Sequence, residues 1–303
     1  MKLVTFLTTD HAARPGVLRD DRIIPIDLPD MRQLFELGDE GLRAAREASG
    51  TSLALEDVRL TAPIVPKKFF HTAGNFREHA VESRQVNFSH DIAPWIVFFQ
   101  NVDAIIGPDA PVIYPSHLTR QLDHEIEIAI VIGKSGKHFG ADVAEEYIAG
   151  YTIFNDITAR DIQRREMKSG VFSFCKAIDT FCPVGPWIVT ADEFADAQNL
   201  DMELRVNGEI RQKSNTSHMW VTMAQLVAHH SPMGYSPGDL LSTGTVAGVA
   251  GFKPDAERYY LKPGDVVECE VEGMGILRNE IISWEQAYGH LVPELSDPTF
   301  MGD

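Results

Sequence analysis

Cysteine is scarce in this chain: Cys175, Cys182 and Cys269 are the only three in 303 residues. Their number is odd and their spacing is not that of a zinc knuckle, which argues against a disulfide framework and a structural zinc site. The expectation is three reduced thiols, packed as small hydrophobes, in a cytoplasmic protein. Long apolar runs are missing too. No window approaches the roughly 20 apolar residues of a membrane span. The opening MKLVTFLTTDHAARPG has no apolar stretch with a small-residue cleavage site, so neither a secretory signal nor a membrane partner is expected. Basic residues are few, with 27 Lys and Arg against 44 Asp and Glu and a formal net charge of −17. Nucleic acid and anionic membranes demand basic patches, so neither is expected as a partner. A small anionic substrate stays open, because a local cluster of Arg, Lys and metal can override the global field.

What is present reads as a globular chain, 44% hydrophobic and 23% charged. Residues 2–8 alternate as a strand does, and GVLRDDRIIPIDL (16–28) has the form strand, Asp turn, strand. Met31, Leu34, Phe35, Leu42 and Ala45 then recur at helical spacing, with Asp30 as N-cap and Gly50 as stop. The block 1–60 reads as a small α+β domain with no chemistry of its own. LTAPIVPKK (60–68), punctuated by proline, marks the boundary with a second domain over 61–303. Short β-branched segments fill that second part, at 94–100, 124–133, 147–156, 183–190, 202–208 and 265–273. Helical patterns are fewer: NFREHAVESRQ, TARDIQRREMKS and VTMAQLVAHHS. Many strands without βαβ alternation predict an α+β, β-dominated fold with a mixed roll- or barrel-like core.

Within that core, QLDHEIEIA (121–129) sets Glu125 and Glu127 two apart in an apolar strand. Residues at i and i+2 share a face, so the two carboxylates project together and repel unless protonated or bridged by a cation. Read alone, the pair also fits a half-exposed strand with glutamate outward and isoleucine inward. Asp156, where GYTIFND ends a strand, adds a third acid at a rim. Three oxygen ligands with waters completing the shell are what Mg²⁺ or Mn²⁺ accepts. Asp123 is one further candidate by spacing.

LDHEIEIAIVIG, GYTIFNDITARDIQRRE, CKAIDTFCPVGPWIVT, LRVNGEIRQ, LLSTGTVAGV and LKPGDVVECEVEGMGILRNEI together resemble, in order, the blocks of the fumarylacetoacetate hydrolase family. The resemblance covers roughly residues 60–285, and GVLRDDRIIPIDL is similar to the small leading domain many members carry. It implies a β-rich roll around a divalent metal, a homodimer, and chemistry on small anionic 2-oxo and 2,4-dioxo acids. It assigns the metal ligands to Glu125, Glu127 and Asp156.

His79 and Glu82, three apart in GNFREHAVES, are neighbours on a helix face, where the carboxylate can orient the imidazole. The family similarly puts a His–Glu pair on a short lid helix, which implies a general base. Without that likeness His79 reads as a surface histidine. Arg160 and Gln163 follow Asp156 on the next helix and are candidate substrate contacts, or exposed polar residues of an amphipathic helix. Lys176 sits among apolar neighbours where a lone ammonium is costly. The resemblance places it at the metal site; a salt bridge to Asp179 is the plain competitor. In STGTVAG (242–248) the turn amides and the Thr245 hydroxyl are candidates to hold a substrate carboxylate, and no GK[ST] follows to make a phosphate loop.

Three departures from the family pattern stand out. Asn75-Phe76 replaces Asn-Tyr, Gln100-Asn101 replaces Lys-Pro, and Val246 follows Thr-Gly-Thr in place of proline. The first two are expected to alter contacts to the distal half of the substrate. The function implied is Mg²⁺- or Mn²⁺-dependent hydrolysis of an acylpyruvate-type 2,4-dioxo acid to pyruvate and a carboxylic acid. Its competitors are a 2-oxo-diacid decarboxylase or dienedioate isomerase on the same metal site, and a catalytically silent, metal-stabilised binding protein.

Overall fold

The structure, a computed structural model, describes residues 1–8, 12–85 and 93–289. Among these the fold is β-dominated, with two large mixed sheets, one two-stranded pairing, and short helices between them. The main sheet runs in the order Leu53–Ala54, Arg22–Pro25, Ala13–Arg19, Lys2–Leu7, Cys182–Thr190, Ile148–Asn155, Ile126–Ile132, Leu240–Ser242, Phe69–Thr72, Val97–Phe99. The second holds Glu209–Asn215, Asp201–Val206, Val266–Val271, Gly275–Ser283 and Val112–Tyr114. Most neighbours are antiparallel, but Leu240–Ser242 runs parallel to Phe69–Thr72. Among the described residues the sheets are open, so the roll does not close into a barrel.

The N-terminal hairpin forms as its residues direct. Asp20 and Asp21 take φ of 46° and 59°, the pair of left-handed residues a two-residue hairpin turn needs. The first strand then pairs with the centre of the molecule, Lys2 opposite Val189, so residues 1–60 extend the main sheet. The single helical pattern after Asp30 is two helices, Met31–Glu36 and Asp39–Glu47. Gly38, at φ 58°, breaks it, and Asp30 caps the first by accepting from the Gln33 amide.

The strand Ile126–Ile132 lies at the heart of the sheet, with all seven residues buried. Each buried Ile or Val there contributes about 1.5–3 kcal/mol, while an uncompensated buried carboxylate costs several. Glu127 sits in this strand at 2% exposure and Glu125 just before it at 6%, so the half-exposed reading of the pair does not hold.

Candidate metal centre

Antiparallel register brings the third acid to the first two. Ile126 pairs with Asn155, so the next residues outward, Glu125 and Asp156, face each other across the strand ends. The Asp156 amide donates to the Glu125 carbonyl at 2.9 Å, and Asn155 Oδ1 accepts from the Glu125 amide at 3.0 Å. One carboxylate oxygen from each of Glu125, Glu127 and Asp156 lies within 4.8 Å of the others, all three buried.

Two cations hold the cluster. Lys176 Nζ lies 2.9 Å from Glu125 Oε2, 2.6 Å from Asp156 Oδ2 and 2.7 Å from Thr158 Oγ1. Asp179 is exposed and makes no such pair. Arg160 donates from Nη2 to Glu125 Oε1 at 2.6 Å, from Nε to Asp123 Oδ2 at 2.7 Å, and from Nη1 to Gln163 Oε1 at 2.9 Å. Asp123 also accepts from the amides of His124, Ala250 and Gly251, each at 2.8 Å. It is therefore an anchor for Arg160 and a loop, which removes it as a fourth ligand.

Electrostatics single out what is missing. Burial alone would raise Glu125 and Asp156, but Lys176 foremost holds both below the usual carboxylate range. For Glu127 the charge of Lys176 and a hydrogen bond with Ser242 act in the same sense but are outweighed. Burial, then the charges of Asp156 and Glu125, push it well above its ordinary value. With all four buried carboxylates (Asp123, Glu125, Glu127, Asp156) ionised, they face two permanent cations, a deficit of two charges that a bound cation would offset. Asp156 Oδ1 is buried with no partner at all. A hard dication fits all three facts: oxygen donors, a deficit of two charges, and one oxygen with nothing to bind.

The cleft above these acids has Phe98, Phe172 and Phe252 among its walls. His79, on the helix Arg77–Gln85, also lines it. Its Nδ1 is 3.4 Å from Glu82 Oε2, and its ring stacks on Phe252 with centroids 5.3 Å apart. Glu82 is tied in turn to the Gly248 amide, at 3.2 and 3.1 Å. Arg160, Gln163, Lys176 and Thr245 line the same cleft. The glycine turn is bonded to the ligand strand. Gly244, at φ 81°, donates its amide to Glu127 Oε2 at 3.1 Å, while the Thr245 hydroxyl donates to the Ile126 carbonyl and accepts from Gln212. These donors serve the ligand strand, so they are not free for a substrate carboxylate.

The departures from the family pattern are packed into the fold around the centre. Phe76 is wholly buried in the core, and the Asn75 side chain binds the Val221 backbone. Gln100 and Asn101 donate to the carbonyls of Lys176 and Ala177, pinning the short helix Phe174–Ala177 that carries Lys176. Val246 is wholly buried. Sequence reasoning misses His71, whose Nδ1 is 3.5 Å from Asp156 Oδ2. A histidine inside a β-branched and aromatic stretch carries no spacing signal by which to find it.

The profile described as fumarylacetoacetate hydrolase C-terminal matches residues 68–282, well over half the chain. The chain belongs to this family. A second profile, Rv2993c-like N-terminal, matches residues 1–63. The mitochondrial oxaloacetate tautomerase Fahd2a of Rattus norvegicus is 39% identical, over 83% of this chain and 79% of its own length. Among solved structures, 2-hydroxyhepta-2,4-diene-1,7-dioate isomerase from Mycobacterium marinum is 32% identical with a TM-score of 0.74, covering 94% of this chain and 99% of its own. Maleylpyruvate hydrolase from Sphingobium sp. SYK-6, in complex with manganese(II) and pyruvate, is 30% identical with a TM-score of 0.76, covering 93% and 99%. Members of the family are thus hydrolases, isomerases and tautomerases, and a divalent metal accompanies the fold in one of them. No helix among the described residues is long and apolar enough to cross a membrane.

Proposed function

We propose that this chain is a divalent-metal-dependent hydrolase that cleaves a C–C bond in an acylpyruvate-type 2,4-dioxo acid, giving pyruvate and a carboxylic acid. The observation that carries the reading is His79, backed by Glu82, in one cleft with Glu125, Glu127 and Asp156. Mg²⁺ or Mn²⁺ held by those three acids would polarise the 2-oxo acid end and make the departing enolate tolerable. The remaining work falls to the chain's own groups. His79 takes a proton from water as the water oxygen adds to the C4 carbonyl. Glu82 orients the ring through Nδ1 and offsets the imidazolium charge. The C3–C4 bond then breaks, its electron pair stays with the pyruvyl half, and the proton returns from His79 to C3. Gln163, its oxygen turned to Arg160, keeps an amide nitrogen for a substrate oxygen. Arg160 and Lys176 fix the acids, and Thr245 shapes the wall beside them.

A substrate panel tests this: acylpyruvates and oxo-diacids with purified protein, with and without a chelator. Metal-dependent pyruvate release supports the reading. No loss of any dioxo acid under either condition would overturn it in favour of a silent binding protein. A second reading, oxaloacetate tautomerase, is favoured by the 39% identity to the rat enzyme. It uses the same centre and base without adding water, as would a decarboxylase or dienedioate isomerase. If keto–enol interconversion or decarboxylation of oxaloacetate were the sole activity found, the hydrolase reading would be wrong.

Three finer features complete the proposal. Residues 1–60 and 61–303 are two units of descent joined in one sheet, supported by profiles that meet between residues 63 and 68. The three cysteines are buried and unbridged, which suits a reducing, cytoplasmic setting. The chain assembles as a homodimer, as the family resemblance implies; a monomeric mass in sedimentation would refute that.

A further inference from the structure

Among the described residues, His71 is the one histidine whose ring lies wholly inside the protein beside a metal-ligand candidate with no hydrogen bond of ordinary length to either nitrogen. It belongs to the strand Phe69–Thr72, all four residues of which are buried. Three phenyl rings surround it: Phe69, Phe98 and Phe154, with centroids 4.5, 4.9 and 4.8 Å away. An apolar side chain would fill such a place at no cost, whereas an imidazole with unspent polar atoms is expensive there. The one charged atom it approaches is Asp156 Oδ2, 3.5 Å from Nδ1. That separation is longer than a hydrogen bond. Oδ2 is meanwhile gripped by Lys176 at 2.6 Å, and Oδ1 has no partner.

We propose that His71 is a positioning residue for the metal: from its phenyl cage the ring turns Nδ1 toward Asp156 Oδ2 and steers that carboxylate electrostatically, so that Oδ1 is presented to the cation. The inference rests on the metal reading of the acid trio. It assigns the proton to Nδ1, the nitrogen that faces Asp156. Lys176 alone would leave the carboxylate free to swing about the Lys176–Oδ2 contact, since that ammonium is shared with Glu125 and Thr158. A second polar group, approaching from among the phenyl rings, biases the orientation of the carboxylate. Groups that orient a ligand in this way typically govern metal affinity by 10–100-fold.

The test is Mn²⁺ titration followed by electron paramagnetic resonance of the purified protein, with thermal unfolding of the metal-free form alongside. His71→Asn keeps a donor at about the distance of Nδ1, His71→Gln moves it to the place of Nε2, and His71→Leu removes it. Wild type and H71N should bind Mn²⁺ within about threefold of each other, whereas H71Q and H71L should bind about 10–100-fold more weakly with an altered Mn²⁺ line shape. If H71L fails to fold, the H71N–H71Q comparison carries the same distinction. Equal Mn²⁺ affinity and line shape across the set, whatever the melting temperatures, would overturn the proposal. Failure of the wild type itself to bind Mn²⁺ would instead overturn the metal reading on which it rests.

Discussion

Lys176 and Asp156 meet at 2.6 Å inside the protein, and the same ammonium reaches Glu125 at 2.9 Å. One cation thus neutralises part of a deeply buried acid cluster. Removing it as Lys176→Met leaves buried carboxylates unpaired, an effect of about 3–5 kcal/mol. Metal-free K176M should therefore melt well below wild type and recover part of the loss when Mn²⁺ is added. A variant that melts with wild type in chelator would show that the ammonium does not compensate the acids.

The deficit of two charges with all four acids ionised has its own consequence. Glu127→Gln removes one ligand and one charge from a cluster where burial and the neighbouring Asp156 and Glu125 disfavour it. In chelator E127Q should be at least as stable as wild type. The stabilisation that wild type gains from excess Mn²⁺, roughly RT ln(1 + [L]/Kd), should largely vanish in the variant. Equal Mn²⁺-induced shifts in melting temperature would mean that Glu127 is not a ligand.

His79 and Glu82 should separate from the metal ligands in kinetics. His79→Gln removes the proton acceptor while leaving the acids untouched, so kcat for pyruvate release should fall by about 10²–10⁴-fold with Mn²⁺ affinity unchanged. Glu82→Gln should cost less, because the ring remains stacked on Phe252, although the link to the Gly248 amide weakens. Steady-state rates beside Mn²⁺ titrations decide it; a loss of metal affinity in H79Q would place His79 among the ligands.

Much of this centre is legible in the amino-acid sequence, because period-two geometry is a local property. Glu125 and Glu127 must share a face of their strand, and only their burial is left open. Asp156 stands at a strand end, but its meeting with Glu125 depends on the register Ile126–Asn155, which nothing local encodes. Long-range pairing hides the place of the N-terminal strand in the same way: Lys2 meets Val189 across more than half the chain. A helical pattern runs through Gly38, where a left-handed backbone breaks it. Gly244 has the residue type of a substrate loop, yet its amide serves Glu127, since the turn packs against the ligand strand. His71 gives no sign, as only the folded cage of phenyl rings makes its polarity conspicuous.

Acid stability can be argued from a residue far from the chemistry. His230 ends the helix Met223–His230, 4% exposed, its Nε2 without a partner. Burial, aided by the neighbouring His229, lowers it to about 4. An unfolded histidine titrates near 6.5, so between those values the unfolded chain binds the extra proton. Stability from this group is thus fully present above about pH 6.5 and falls as pH drops toward 4, by roughly 3 kcal/mol in all. The sign is that of a base kept neutral in the fold. His230→Gln removes the titration, whatever its packing costs at neutral pH. Urea unfolding at about pH 7 and about pH 4.5 should therefore show a shallower acid loss in H230Q than in wild type, by on the order of 2 kcal/mol. Carboxylates elsewhere contribute equally to both proteins, so parallel losses would mean that the His230 ring is already charged, or solvated, in the native state.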